Sequence, residues 1–163
     1  MTIFKGKKLS PRLYYLRPME EKDIPYVGAI ERQSFSNPWP ESSFLGEIEN
    51  ESISFPFVIV YKPQEKVIGY LIYWKIGDEA QISNVAVHPD WRGRGIGERV
   101  IREILELMKK QGVRYVVLEV RPSNQVARSL YHKLGFEVIG VRKGYYKNPP
   151  ENALIMGKIL QDK

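Results

Sequence analysis

The chain contains no cysteine. That excludes disulfides, thiolate zinc sites and an acyl-cysteine intermediate together. Histidine is nearly as scarce, with only His88 and His132. Their spacing is not that of a metal-ligand pair, both read as surface or loop residues, and no metal is expected. Long apolar runs are also missing, so no segment reaches the roughly 20 residues of a membrane helix. The opening MTIFKGKKLSPRLYY lacks the apolar stretch of a signal peptide. There is no repeat, no low-complexity tract and no linker long enough to divide domains. A flexible, lysine-rich leader over residues 1–12 and a single domain over 13–163 are therefore expected. These absences fit a cytoplasmic protein with no membrane role.

What is present is ordinary in bulk and basic in balance. Apolar residues make up 43% and charged residues 27%, which suits a packed globular core. The net charge of +6 favours anionic partners in general: a nucleotide, a phosphorylated cofactor, RNA or a lipid surface. Periodicity predicts the elements. YYLRP is a first strand. EEKDIPYVGAIERQSF is a helix with Ile24, Val27, Ile30 and Phe35 near one face. PESSFLGEIEN is a second helix with Pro40 in its first turn. FPFVIVY and KVIGYLIYWK form a hairpin around KPQE, and AQISNVAV is a further strand. IGERVIREILELMKK is the clearest amphipathic helix and stops at Gly112. VRYVVLEV is nearly all apolar and so central in the sheet. SNQVARSLYHKLGF is a helix capped by Ser123 or Asn124 and ended by Gly135. EVIGVRK and ALIMGKIL are the last strands, joined by a loop, GYYKNPPEN. A strand–helix–strand crossover with hairpins outside it implies a mixed α+β sheet, partly parallel.

The junction RGRGIG, Arg92 to Gly97, sits between a strand and the long helix. First-turn N–H groups of a helix have no internal partner and present the positive end of its dipole. Gly93, Gly95 and Gly97 let backbone close on an anion. Arg92 and Arg94 can add charge-assisted bonds, and Ile96 and Glu98 complete the turn. This is a pyrophosphate cradle. The alternative is a glycine-rich turn that only caps the helix. A Rossmann turn fails because the third glycine is out of step and HPDWR intervenes. A P-loop fails because Glu98 and Arg99 stand where Lys and Ser/Thr are required.

Glu119 interrupts an apolar strand, where a carboxylate is costly unless paired or used. It is either a partner for Arg121 or another basic group, or a general base. Tyr131, read from its residues alone, is a core aromatic. Asn124 is an N-cap.

The strand, the R-G-x-G-x-G-type loop and the long helix together resemble the acetyl-CoA-binding motif of the GNAT N-acetyltransferase superfamily. LEVRPSN, then ARSLYHKLGF, then GYYKNPPENALIM resemble the RimI-like branch, the ribosomal-protein-alanine N-acetyltransferases. SFSNPWPESSF resembles its early F-x-x-PW segment. The resemblance implies an acyl-CoA N-acyltransferase fold, with a central mixed sheet splayed between its fourth and fifth strands and flanked by helices. It implies that backbone around Val85, Ala86 and Val87 binds the pantetheine arm of acetyl-CoA and that Asn124 also holds the cofactor. It further implies that Glu119 is the general base and that the Tyr131 hydroxyl protonates the departing thiolate. One departure is Asn152, where the family commonly has an acidic residue.

With no cysteine, direct attack of an amine in a ternary complex is simplest. At neutral pH about a tenth of α-amines are unprotonated, against fewer than about one in a thousand lysines, so a carboxylate base suits an α-amine. Trp39, Tyr145 and Tyr146 would line a groove for an N-terminal peptide, or else close the sheet edge. The expected reaction is transfer of acetyl from acetyl-CoA to a protein N-terminal α-amine, that of an alanine on a small-subunit ribosomal protein. The rivals are a broad archaeal-type N-terminal enzyme, a small-molecule amine N-acetyltransferase, and an RNA-binding domain, for which no interleaved aromatic and basic motif is present. No direct nucleic-acid role is expected.

Overall fold

The computed structural model describes residues 7–161, so leader residues 1–6 lie outside the described part. The chain forms two compact units, Met1–Tyr73 with Asn84–Val100, and Trp74–Ser83 with Ile101–Lys163. Strands β3 (Lys66–Ile76) and β4 (Glu79–Val87) and helix α3 (Ile96–Lys110) each contribute to both.

In the first unit, β1 (Tyr14–Pro18) pairs antiparallel with β2 (Ser54–Tyr61), from Tyr14↔Tyr61 to Pro18↔Phe57. The sheet continues in the order β1-β2-β3-β4. Val58, Ile59, Val60, Ile68 and Tyr70 are fully buried with Val27 and Ile30 of α1 (Ile24–Ser34) and Phe44 of α2 (Glu41–Glu49). The predicted first helix is shorter than expected. It begins at Ile24, after a 3-10 turn over Glu21–Asp23, because Pro25 has no N–H to donate deeper inside a helix. Phe35 is not on its apolar face: it has extended backbone beyond the last turn and is 40% exposed. Pro40 is the N-cap of α2 rather than part of its first turn.

In the second unit, β5 (Tyr115–Val120) runs parallel to β4, with pairs from Glu79↔Tyr115 to Ile82↔Leu118. Both strands continue past that ladder, to Val87 and Val120. On its other side β5 pairs antiparallel with β7 (Pro150–Ile159), which pairs with the edge strand β6 (Glu137–Lys147). Ile101, Ile104, Leu105 and Met108 of α3 are buried, as are Val116, Leu118, Phe136 and Met156. Both helices of this unit end in the same way. Gly112 (φ +85) lets Val113 N donate to Met108 O at 2.9 Å, closing α3. Gly135 (φ +96) lets Phe136 N donate to Tyr131 O at 2.9 Å, closing α4 (Gln125–Lys133). The expected mixed α+β architecture is present. The predicted GYYKNPPEN loop is not. The ladder runs on through Tyr146↔Glu151 and Lys147↔Pro150, so only Asn148 and the cis-linked Pro149 form the turn.

The entrance to α1 rests on one ion pair. Arg17 donates to both carboxylate oxygens of Asp23, at 2.7 and 2.8 Å, and Asp23 is 2% exposed. Burial opposes the Asp23 charge, but the Arg17 bonds and the Glu20 N–H outweigh it and hold the carboxyl below its usual range. A carboxylate with a depressed folded value stabilises above its unfolded value and loses that contribution in acid. Asp23→Asn should therefore cost about 2–3 kcal/mol by urea denaturation at pH 7. The gap from the parent protein should narrow as pH falls below about 4.

Candidate active site

The glycine-arginine segment of the first unit is a turn stripped of side chains. After β4 a 3-10 turn, Pro89–Trp91, is capped by His88, whose Nδ1 accepts from Asp90 N at 3.1 Å. Gly93 (φ +76) and Gly95 (φ +81) occupy left-handed backbone that side-chain-bearing residues resist. The first α-helical bond is Arg99 N to Gly95 O at 3.2 Å, so the N–H groups of Ile96 and Gly97 precede the ladder. A Cβ added at Gly93 or Gly97 would meet nothing within 4 Å. The space beside Gly93 and Gly97 is open to a ligand. Glu98 stands in the same first helical turn.

The two arginines brace this turn. Arg92 donates from Nε to Val87 O at 2.8 Å and from Nη2 to Ser34 Oγ at 2.9 Å. Arg94 is 4% exposed; it donates to Asp90 O at 2.8 Å and lies 4.6 Å over the Trp91 ring. Ala86 is buried, with Val85 and Val87 half-buried beside it. Gly69 is a supporting residue that the sequence reading passed over. A Cβ there would stand 2.8 Å from Ala86 O and from Ile59 Cδ1, so only glycine lets β4 lie this close to β3. The available signal was a lone glycine inside an apolar strand run.

Glu31 was missed as well. It is 1% exposed and has three donors: the Tyr70 hydroxyl, Asn84 Nδ2 at 3.3 Å and Trp39 N at 2.9 Å. Burial first, and then this carboxylate, push the Tyr70 phenol far up, so it stays a donor. Glu31 thereby ties α1 to β3, β4 and the segment carrying Trp39, whose ring lies 5.4 Å from Phe44. Its sequence signal was position: Glu31 falls four and seven residues after the buried Val27 and Ile24.

The second unit gathers Glu119, Tyr131, Tyr145 and Tyr146. Glu119 does not sit in a strand buried on both faces. Tyr115, Val117 and Glu119 alternate, half-buried, with buried Val116, Leu118 and Val120. Its cation is Arg142, at 3.1 Å, rather than Arg121. Arg121 instead holds the hairpin tip: it donates to Pro149 O at 2.9 Å, Asn148 O at 3.2 Å and Glu151 at 3.3 Å, and covers the Tyr146 ring at 4.2 Å. Glu151 also accepts from Ser123 N and Oγ, at 2.8 and 2.9 Å. Between Arg142↔Ala153 and Tyr146↔Glu151 the register shifts, so Lys143, Gly144 and Tyr145 oppose Asn152 alone. Gly144 takes φ +64 at this bulge, and its N–H donates to Asn152 Oδ1 at 2.9 Å. An amide accepts that bond as a carboxylate would, so the departure at Asn152 leaves the bulge intact.

The bulge sets the Tyr145 and Tyr146 rings edge to face at 5.0 Å, with Arg142 lying 5.0 Å over Tyr145. Burial and then the Glu119 carboxylate raise the Tyr145 phenol. Tyr146 is pushed up to about 12, by burial and then by Tyr145 and Glu119. Tyr131 is buried and raised to about 12, by burial and then by Tyr146. Tyr145 and Tyr146 thus both feel the Glu119 charge, and buried Tyr131 feels Tyr146. Asn124 caps α4, accepting from Ala127 N at 3.1 Å, and His132 lies exposed on the same helix. Trp39 belongs to the first unit.

The acetyltransferase (GNAT) family profile matches residues 24–136. The chain belongs to this family. Acetyl-CoA is the family's cosubstrate, and the open turn with its helix-start N–H groups fits the diphosphate of CoA. The putative [ribosomal protein bS18]-alanine N-acetyltransferase of Bacillus subtilis is 40% identical over 86% of the chain and 92% of its own length. The crystal structure of the ribosomal-protein-S18-alanine N-acetyltransferase from Escherichia coli superposes with a TM-score of 0.84 at 29% identity, covering 92% of this chain and 96% of that one. Ard1 from Thermoplasma volcanium superposes with a TM-score of 0.82 at 27% identity, covering 92% and 99%. Among the described residues no helix is long and apolar enough to cross a membrane, and no cluster of His, Asp and Glu offers a metal site.

Removing the Glu31 carboxylate leaves three donors of this GNAT domain unmatched. Glu31→Ala should lower unfolding stability by about 2–4 kcal/mol, and Glu31→Gln by less, since the amide keeps an acceptor. Equal urea midpoints for Glu31→Ala and the parent protein would contradict this account.

Proposed function

We propose that the chain acetylates the N-terminal α-amine of a protein, and that its acceptor is an alanine exposed on a small-subunit ribosomal protein. The observation that carries the chemistry is the Glu119 carboxylate beside a cluster of phenols that ends at buried Tyr131. The acceptor rests on the relatives named above, which are called ribosomal protein bS18-alanine N-acetyltransferases. Such an acceptor places the enzyme in the cytoplasm.

When bound, acetyl-CoA supplies an activated thioester. The N–H groups around Gly93–Gly97 and the side of the turn held by Arg92 receive its diphosphate. Arg94, turned inward, keeps the turn in shape. Backbone of Val85, Ala86 and Val87 hydrogen-bonds the pantetheine amides, and Asn124 assists at its helix cap. Glu119 takes the proton of the acceptor amine, directly or through water. The Tyr131 hydroxyl gives a proton to the departing sulfur. Burial raises its pKa, so it holds its proton at neutral pH. Trp39, Tyr145 and Tyr146 contact the acceptor peptide. A broader N-terminal acetyltransferase is the second reading. Peptide panels separate the two, since a dedicated enzyme acetylates Ala-starting ribosomal sequences far faster than unrelated termini.

Two variants test the assignment. Gly97→Val places side-chain carbons in open space, so the protein should fold normally while its Kd for CoA, measured by calorimetry, rises at least about tenfold. Glu119→Gln should bind CoA nearly as before and lose about 10²-fold or more in kcat at pH 7. Part of that loss should return by pH 9, because a terminal amine with pKa near 8 then deprotonates unaided. Undiminished turnover of Glu119→Gln across that range would remove Glu119 from the mechanism.

A further inference from the structure

The leader does not end its contacts where the sheet begins. Leu9 N donates to Arg94 O at 3.0 Å, inside the glycine-rich turn. In a trans peptide the carbonyl and the following N–H point in opposite directions. This bond therefore fixes the Arg94–Gly95 peptide plane and aims the Gly95 N–H away from the leader backbone. The side chain of Lys8, an exposed residue, crosses the turn at the same place. Its Cγ, Cδ and Cε lie 3.5, 3.8 and 3.9 Å from where a Gly95 Cβ would stand. The ammonium is one bond beyond Cε. The other two glycine positions of the turn, Gly93 and Gly97, face open space. Arg94 is turned into the protein, and Arg92 is hydrogen-bonded to Val87 and Ser34. Lys8 is thus an exposed cation laid across the open turn, and it comes from a segment nearly ninety residues away in sequence.

We infer that Lys8 is a phosphate ligand of the CoA site, delivered by the leader and held in place by the Leu9–Arg94 backbone bond. The inference rests on the assignment of this turn to the CoA diphosphate. Its ligand chemistry is phosphate, which CoA carries both in the diphosphate bridge and on the ribose 3′ position. A lysine point charge suits either one, and its flexible stem needs only the anchor at Leu9 to stay within reach.

The test is calorimetric titration of the full chain with CoA and with dephospho-CoA, at about 50 mM and about 500 mM salt. Lys8→Ala should raise the Kd for CoA by about threefold to tenfold at low salt, with the difference shrinking at high salt, and Lys8→Arg should restore most of the affinity. If the loss appears with both ligands, Lys8 meets the diphosphate. If it appears with CoA alone, Lys8 meets the 3′-phosphate. Equal or tighter CoA binding by Lys8→Ala at low salt overturns the inference and leaves the turn assignment standing. Failure of the parent protein itself to bind CoA overturns both.

Discussion

A carboxylate taken out of water must be met by donors, and much of this structure follows from how four of them are met. Asp23 receives a two-pronged arginine and fixes the start of α1 against β1. Glu31 receives a phenol, an amide and a backbone N–H from three other segments. Glu151 receives Arg121 and both donors of Ser123, which joins the β6–β7 hairpin to the turn before α4. For the buried Asp23 and Glu31 the desolvation penalty is offset only when every partner is in place, so each of these two specifies one arrangement of its neighbours.

Glu119 is met differently. Its cation, Arg142, is itself more than half exposed, and the carboxylate lies on the half-open face of β5. A guanidinium that reaches into solvent holds a carboxylate loosely. The contrast with Glu31 is one of confinement: one carboxylate is sealed by fixed donors, the other has a cation partner that reaches solvent. Arg142 therefore holds the Glu119 carboxylate through a contact that borders solvent.

What the sequence disclosed divides along the same line. Features written within a few residues were legible: the amphipathic face of α3, the glycine stops at Gly112 and Gly135, the Asn124 cap and the RGRGIG turn all depend on local spacing. Features that join distant residues were not. Nothing near Glu31 in sequence shows that Tyr70 and Asn84 will meet it, and nothing near Glu119 selects Arg142 over the adjacent Arg121. GYYKNPPEN reads as a loop because glycine and two prolines break strand patterns. Yet the bulge absorbs Gly144, and the hairpin turn takes Pro149 while Pro150 opens β7. Resemblance to the RimI-like branch nominated the tyrosines, but it could not show that they form one cluster.

That cluster carries a cost of its own. A phenol raised to about 12 by burial keeps its proton in the folded chain, whereas an unfolded tyrosine releases it near 10. Between those values the unfolded state binds fewer protons than the folded one, so stability falls as pH rises through that window. Below pH 10 both states hold the proton and nothing is lost. The burial that raises Tyr131 is thus harmless at neutral pH. It becomes destabilising only in alkali, far above the pH at which a terminal amine has already lost its own proton.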